Sequence, residues 1–138
     1  MSQVILLVED NPDDAELTRL ALERVRKDAK VVHVTDGAQA LDYLLGPNER
    51  PEVRFIILDI KLPKVDGLQV LERIKADSRT RRIPVVILTS SNREGEIERS
   101  FLNGVNSYVV KPVELEEYLA KVSALGHYWD DVNQPVAG

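Results

Sequence analysis

The sequence predicts an α/β fold, a parallel sheet with helices on both faces, and three observations carry that expectation. Strand-like and helix-like segments alternate along the chain, two of the strand-like runs are apolar at every position, and four of the runs end on a polar residue. Alternation calls for right-handed crossovers between parallel strands, and an all-apolar strand calls for a covering layer on each side.

Val4–Val8 is the first strand, apolar throughout and ending on Glu9-Asp10. Asn11 can cap a helix that Pro12 opens, with Asp13 and Asp14 complementing its positive end and Leu17, Leu20, Ala21 and Val25 marking its buried stripe. Val31–Thr35 reads as the second strand, Asp36-Gly37 as the cap of a helix through Leu45, and Gly46-Pro47-Asn48 as its stop. Phe55–Leu58 is the third strand, again apolar, and ends on Asp59; with Val4–Val8 it is expected at the centre of the sheet. Asp66-Gly67 starts a third helix with Leu68, Leu71 and Ile74 inward, and a basic loop (Lys75, Arg79, Arg81, Arg82) leads into the strand Val85–Leu88, which ends on Thr89. A fourth helix is expected over Arg93–Leu102, stopped by Asn103-Gly104. The last strand, Ser107–Val110, ends on Lys111-Pro112, and a helix beginning near Val113 carries Leu115, Leu119, Val122 and Leu125 on its apolar side.

A chain of 138 residues fits one domain, large enough to bury roughly two-thirds of the surface its unfolded form exposes. Residues 1–126 are assigned to it, and 127–138 to a tail that extends the last helix. The absence of cysteine excludes a disulfide framework and a thiolate metal site. A net charge of −5 argues against a nucleic-acid surface, no apolar run approaches the ~20 residues of a membrane span, and Met1-Ser2-Gln3 lacks a basic leader. The expectation is a cytoplasmic protein with no membrane and no direct nucleic-acid partner. The basic loop reads as a solvated helix-to-strand connection in preference to a phosphate site.

In an open parallel sheet the carboxyl ends of all strands share one edge, so Glu9, Asp10, Asp59, Thr89 and Lys111 should converge in one crevice. Asp59 is the candidate nucleophile, since a carboxylate can attack a phosphoryl group once the surrounding negative charge is neutralised. Glu9, Asp10, Asp59 and the backbone carbonyl of Lys61 offer oxygen ligands for a hard divalent cation such as Mg2+. Lys111 would bring a fixed positive charge to the transferring oxygens and Thr89 a hydrogen bond. Each residue alone has a structural explanation: helix-start acids, a turn aspartate, strand-end residues, a packing tyrosine at Tyr108. Their joint arrival at four strand ends favours the chemical reading.

Through Val8-Glu9-Asp10-Asn11, Leu58-Asp59-Ile60-Lys61-Leu62-Pro63, Asp66-Gly67, Leu88-Thr89-Ser90 and Tyr108-Val109-Val110-Lys111-Pro112, the chain resembles the receiver domain of two-component response regulators over residues 3 to about 126. The resemblance implies a doubly wound, flavodoxin-like (βα)5 sandwich with strand order 2-1-3-4-5. It implies that Glu9, Asp10 and Asp59 bind Mg2+ or Mn2+, that Asp59 takes phosphate from a sensor histidine kinase, and that Thr89, Tyr108 and Lys111 transmit the change. It also implies a cis Lys111–Pro112 bond. The family pattern more often has Asp where Glu9 stands and a smaller residue where Ser90 stands, and neither departure removes a required group. Val8-Glu9-Asp10-Asn11-Pro12-Asp13-Asp14 with the aromatic tail looks most like the small regulators that partner bacterial and cyanobacterial phytochromes.

On this reading the protein is not an enzyme beyond catalysing its own Asp phosphorylation and dephosphorylation, and it switches partner binding or self-association. The alternatives are a phosphorelay shuttle or a small aspartate-nucleophile phosphohydrolase; the latter resembles Asp-x-Asp-x-Thr, and Lys61 stands where its second carboxylate would be. A flavin or nucleotide carrier would need a Gly-rich phosphate loop that follows no strand here. The spacing Leu115, Leu119, Val122, Leu125, Trp129, Val132 continues helically into the tail across Gly126. Tyr128 and Trp129 are expected at a symmetric dimer interface, with folding back onto the protein's own core as the competing outcome.

Overall fold

The computed structural model describes residues 3–28 and 30–133, except for the side chain of Asp131; residues 134–138 of the expected tail lie outside the described residues. Five strands, β1 (Gln3–Val8), β2 (Val31–Val34), β3 (Glu52–Leu58), β4 (Val85–Thr89) and β5 (Ser107–Val110), alternate with five helices. These are α1 (Pro12–Val25), α2 (Gly37–Leu45), α3 (Gly67–Ala76), α4 (Glu94–Leu102) and α5 (Leu115–His127), the last running into a π-helical turn over Tyr128–Val132. The strands form one parallel sheet in the order β2-β1-β3-β4-β5, the doubly wound arrangement anticipated from the sequence.

Side chains that alternate along buried strands feed two separate cores. Val4, Leu6 and Val8 of β1 join Ile56 and Leu58 of β3 beneath α2 and α3, whereas Ile5 and Leu7 join Phe55 and Ile57 beneath α1 and α5. The register of β1 against β3 shifts between Val4, opposite Val53, and Ile5, opposite Phe55, leaving Arg54 as an extra residue. An extra residue re-aims its side chain. Arg54 thereby reaches Gln3 Oε1 (3.3 Å) and the Asp130 carbonyl (2.8 Å) at the amino-terminal edge of the sheet.

Local chemistry sets the helix ends as expected. The Asn11 side chain accepts from the Asp13 and Asp14 N–H groups, and Asp66 forms a reciprocal capping box with Gln69. The last helix is capped by Glu114, which accepts from Glu116 and Glu117.

The buried stripe of α1 differs from the expected one. Leu20 is 45% exposed, and the buried positions are Ala15, Thr18, Ala21 and Leu22. The reason is a polar contact: the Thr18 hydroxyl lies 2.9 Å from the Tyr118 hydroxyl of α5, a buried hydrogen bond that rotates the small face of α1 inward. Gly126 lies on the same contact, and a Cβ there would come within 2.7 Å of Leu22 Cδ2, so glycine lets α5 close onto α1.

The described part of the tail continues α5 as a helical turn. Trp129 packs against the core between the sheet and α1/α5, with Tyr128 edge-on to it (4.9 Å, 81°) and 48% exposed. Asp130, next in sequence, is buried and pairs with Arg26 (2.9 Å) and Arg54 (3.4 Å). These contacts hold Trp129 against its own chain and leave Tyr128 as the more exposed of the two aromatics.

Candidate functional site

Val34, Val8, Leu58, Ile87 and Tyr108 lie successively across the sheet; β2, β1 and β3 end at that level, and β4 and β5 run on to the paired Thr89 and Val110, so Glu9, Asp59, Thr89 and Lys111 share the carboxyl edge. Carboxylate oxygens of Glu9, Asp10 and Asp59 lie within 4.8 Å of one another; Glu9 and Asp59 are buried and Asp10 is exposed. The Lys111 ammonium reaches Glu9 Oε1 at 2.7 Å, Asp14 Oδ2 at 2.9 Å and Asp59 Oδ2 at 3.0 Å. Sequence reasoning brought all of these together except Asp14, which was read only as a helix-end acid.

The Lys111–Pro112 bond corrects an expectation. There are no cis peptide bonds among the described residues, and this one is trans. With a trans bond, the default for X–Pro by about 0.5–1 kcal/mol, Lys111 already touches three carboxylates, so aiming it does not require the cis form.

Backbone contacts hold the acids in place. The Asp59 N–H donates to Val8 carbonyl (3.1 Å), the Lys61 N–H to Asp59 Oδ1 (3.3 Å), and the Asn11 N–H to Glu9 Oε2 (3.2 Å). His33 Nε2 lies 2.7 Å from the Glu9 carbonyl and ties β2 to the site. The first turn of α3 is pressed against the Asp59 loop, where a Cβ on Gly67 would come within 2.1 Å of the Asp59 carbonyl oxygen. Only glycine fits there, which explains the Asp66-Gly67 signal in chemical terms.

The electrostatics follow from three acids sharing one ammonium, with Asp10 alongside. Burial pushes the Glu9 carboxyl up to about 7, with Lys111 pulling it back and the Asp59 charge adding to the rise. Burial disfavours the Lys111 charge too, but the Glu9 and Asp14 hydrogen bonds and the Asp59 charge outweigh it and hold Lys111 above its ordinary range. Burial is the larger reason that Glu9 holds a proton, and the surrounding carboxylates are the reason that Lys111 holds its own. The three clustered carboxylates form an all-oxygen donor set, suited to a hard divalent cation that would supply the missing charge.

Thr89 is fully buried at the end of β4, and its carbonyl accepts from the Lys111 N–H at 2.7 Å. Its hydroxyl accepts a long 3.4 Å bond from the Ser91 N–H, and the Tyr108 hydroxyl donates to the Ser91 carbonyl at 3.0 Å. Burial raises the Tyr108 hydroxyl above its ordinary range. Ser91, whose hydroxyl also bonds Glu96 of α4, joins the two expected switch residues to that helix. No sequence periodicity marks such a loop residue.

Comparison with known proteins identifies the family and the fold. The family described as "Response regulator receiver domain" matches residues 5–123. "Probable methanogenesis regulatory protein FilR2" of Methanothrix harundinacea is 42% identical over 130 residues, covering 91% of this chain and 83% of that protein. "Response regulator Rcp1" of Synechocystis is 35% identical, covering 98% and 95%, and its solved Mn(2+)-bound form superposes with a TM-score of 0.92 at 34% identity over 99% of this chain and all of that one. The crystal structure of the phosphorylated cyanobacterial phytochrome response regulator RcpA superposes equally well, with a TM-score of 0.92 at 35% identity over 99% of this chain and all of the other.

Proposed function

The chain belongs to the response regulator receiver domain family, and on that premise we propose that Asp59 is its phosphoacceptor, charged by a sensor histidine kinase. The observation that carries the reading is the Lys111 ammonium 3.0 Å from a buried Asp59 carboxylate, beside two further acids. An Asp59 carboxylate oxygen attacks phosphorus, the bond from phosphorus to the donor nitrogen breaks, and that nitrogen leaves with the electron pair. Lys111 and the Thr89 hydroxyl meet the charge on the transferring oxygens. Glu9, Asp10, Asp59 and the Lys61 carbonyl would hold Mg2+ or Mn2+, which when bound screens the approaching anions from the acids. The protein turns over nothing but its own modification.

The new acyl phosphate carries about two negative charges and competes with Asp14 for Lys111. Thr89 gives up its long bond from the Ser91 N–H and turns toward the phosphate, and Tyr108, bonded to the carbonyl of the same residue, responds. A factor of about 100 in population requires only ~2.7 kcal/mol of differential interaction, within reach of two charge-assisted hydrogen bonds. The likeness to Rcp1 and RcpA favours a phytochrome as the kinase and a cytoplasmic location; no described helix is long and apolar enough to cross a membrane. Residues 1–126 act as the receiver and 127–138 as its tail, with self-association through the α5 side. There Tyr128 supplies the exposed contact and Trp129 supports it from behind. Borohydride trapping of the acyl phosphate after incubation with a small phosphodonor and Mg2+, followed by peptide mapping, should place the modification at residue 59. Trapping at any other acid would refute the assignment.

A further inference from the structure

The amino-terminal edge of the sheet, opposite the phosphoryl site, carries a concave surface which the proposed chemistry does not use. A cavity of about 390 Å³ opens there, lined by Arg50, Arg54, Arg79, Arg81 and Arg82 against Glu52, the one acid of the lining among the described residues. That formal +4 sits on a chain of net charge −5, so the charge is segregated and not merely abundant.

The arginines are not equivalent. Arg54 is occupied by Asp130 and Gln3, and Arg79 by Asp77 in a two-point contact (3.1 and 2.9 Å). Arg50 donates only to the adjacent Pro51 carbonyl, and the guanidinium groups of Arg81 and Arg82 have no partner among the described residues. Yet the loop that bears them is fixed. The fully buried Thr80 donates to the Ile74 carbonyl at 2.7 Å, and Lys75 Nζ holds the carbonyls of Arg81 and Ile83 at 3.1 and 3.0 Å. A rigid loop that presents unpaired guanidinium groups into a cavity is preorganised for anions, because little backbone order remains to be acquired on binding. Val53, Ile83 and Pro84 add an apolar wall to the same cavity.

We propose that this cavity binds an oligophosphate, two or more linked phosphates, either as a nucleoside polyphosphate whose base lies on the apolar wall or as a free inorganic chain. Guanidinium groups recognise phosphate oxygens bidentately, and several arginines lining one cavity match a linked anion better than a single one. The volume lies in the range of small-ligand sites. The site is remote from Asp59 and independent of the phosphoacceptor reading.

The test is calorimetric titration of the full chain in EDTA with ATP, tripolyphosphate, orthophosphate and adenosine. Saturable binding of ATP or tripolyphosphate, and not of orthophosphate or adenosine, is expected; the tighter of the two binders identifies the source. Arg81→Ser with Arg82→Ser should weaken binding at least tenfold, by roughly one charge-assisted bond or more. Arg50→Ser, on a separate segment, should weaken it several-fold. Arg24→Ser with Lys27→Ser, the same charge change on α1 and beyond its end, should leave affinity within about twofold, as should Asp59→Asn. Absence of saturation with both oligophosphates, or an equal loss in the two double variants, would overturn the proposal.

Discussion

Two buried acidic sites lie at opposite edges of this sheet, and they are equally hidden from water. The side chains of Asp59 and Asp130 are 9% and 8% exposed. Asp130 has two cations, Arg26 and Arg54, and its chain carbonyl is also bonded by Arg54. Asp59 shares one ammonium with Glu9 and Asp14, and Asp10 lies alongside with no cation of its own among the described residues. The first arrangement is closed and tethers the tail turn to β3. The second is under-neutralised and accepts positive charge, or a group bearing its own cation. Burial therefore does not distinguish the structural acid from the reactive one; the balance of neighbouring charge does.

Breaking the closed site should cost the most stability. Asp130→Asn leaves the largely buried Arg54 without its counter-charge, held only by the residue 130 carbonyl and Gln3, and a loss of about 2–3 kcal/mol is expected in denaturant unfolding, with phosphorylation retained. A loss below ~0.5 kcal/mol would make Asp130 a surface acid in effect. Filling the open site works in the other direction. Mg2+ at about 100 times its dissociation constant should stabilise the protein by ~2.7 kcal/mol, and Asp10→Ala should largely remove that increment in a thermal melt. An undiminished shift in the variant would exclude Asp10 as a ligand.

The α1–α5 side provides a pH test. Burial raises the Tyr118 hydroxyl to about 12, with the Thr18 bond acting the other way. The folded value exceeds the unfolded one near 10, so the neutral form is favoured by folding. Stability is unaffected by this group below pH 10 and falls by about 2 kcal/mol as pH rises toward 12. Lys111, raised as well, loses its contribution in the same alkaline range, so the slope assigned to Tyr118 is the part that Tyr118→Phe removes. An identical slope in both proteins would contradict it. The smallest effect has the opposite sign from the first: in metal-free buffer Asp59→Asn relieves repulsion and should gain about 1 kcal/mol. A destabilised variant would mean that Lys111 already balances the cluster.

What could be read from the sequence follows the physics of parallel sheets. Apolar runs fix where strands end, and the ends share one edge, so Glu9, Asp10, Asp59, Thr89 and Lys111 were legible together. Rotation of a helix about its axis was not. Leu20 looked like a core residue and Thr18 did not, because the partner that rewards burying a hydroxyl, Tyr118, lies a hundred positions away. For the same reason Asp14 was visible as a helix-end acid but not as a partner of Lys111. Trp129 signalled burial without saying against what; the answer depends on Asp130 reaching Arg54, which an extra residue in β3 turns toward it.

The most direct test of the central claim is intact-mass measurement of the wild-type chain, Asp59→Asn and Asp130→Asn after incubation with a small phosphodonor and Mg2+. The wild type and Asp130→Asn should each gain one phosphoryl group, and Asp59→Asn none. Undiminished labelling of Asp59→Asn, or loss of labelling in a folded Asp130→Asn, would contradict the assignment of reactivity to the under-neutralised edge.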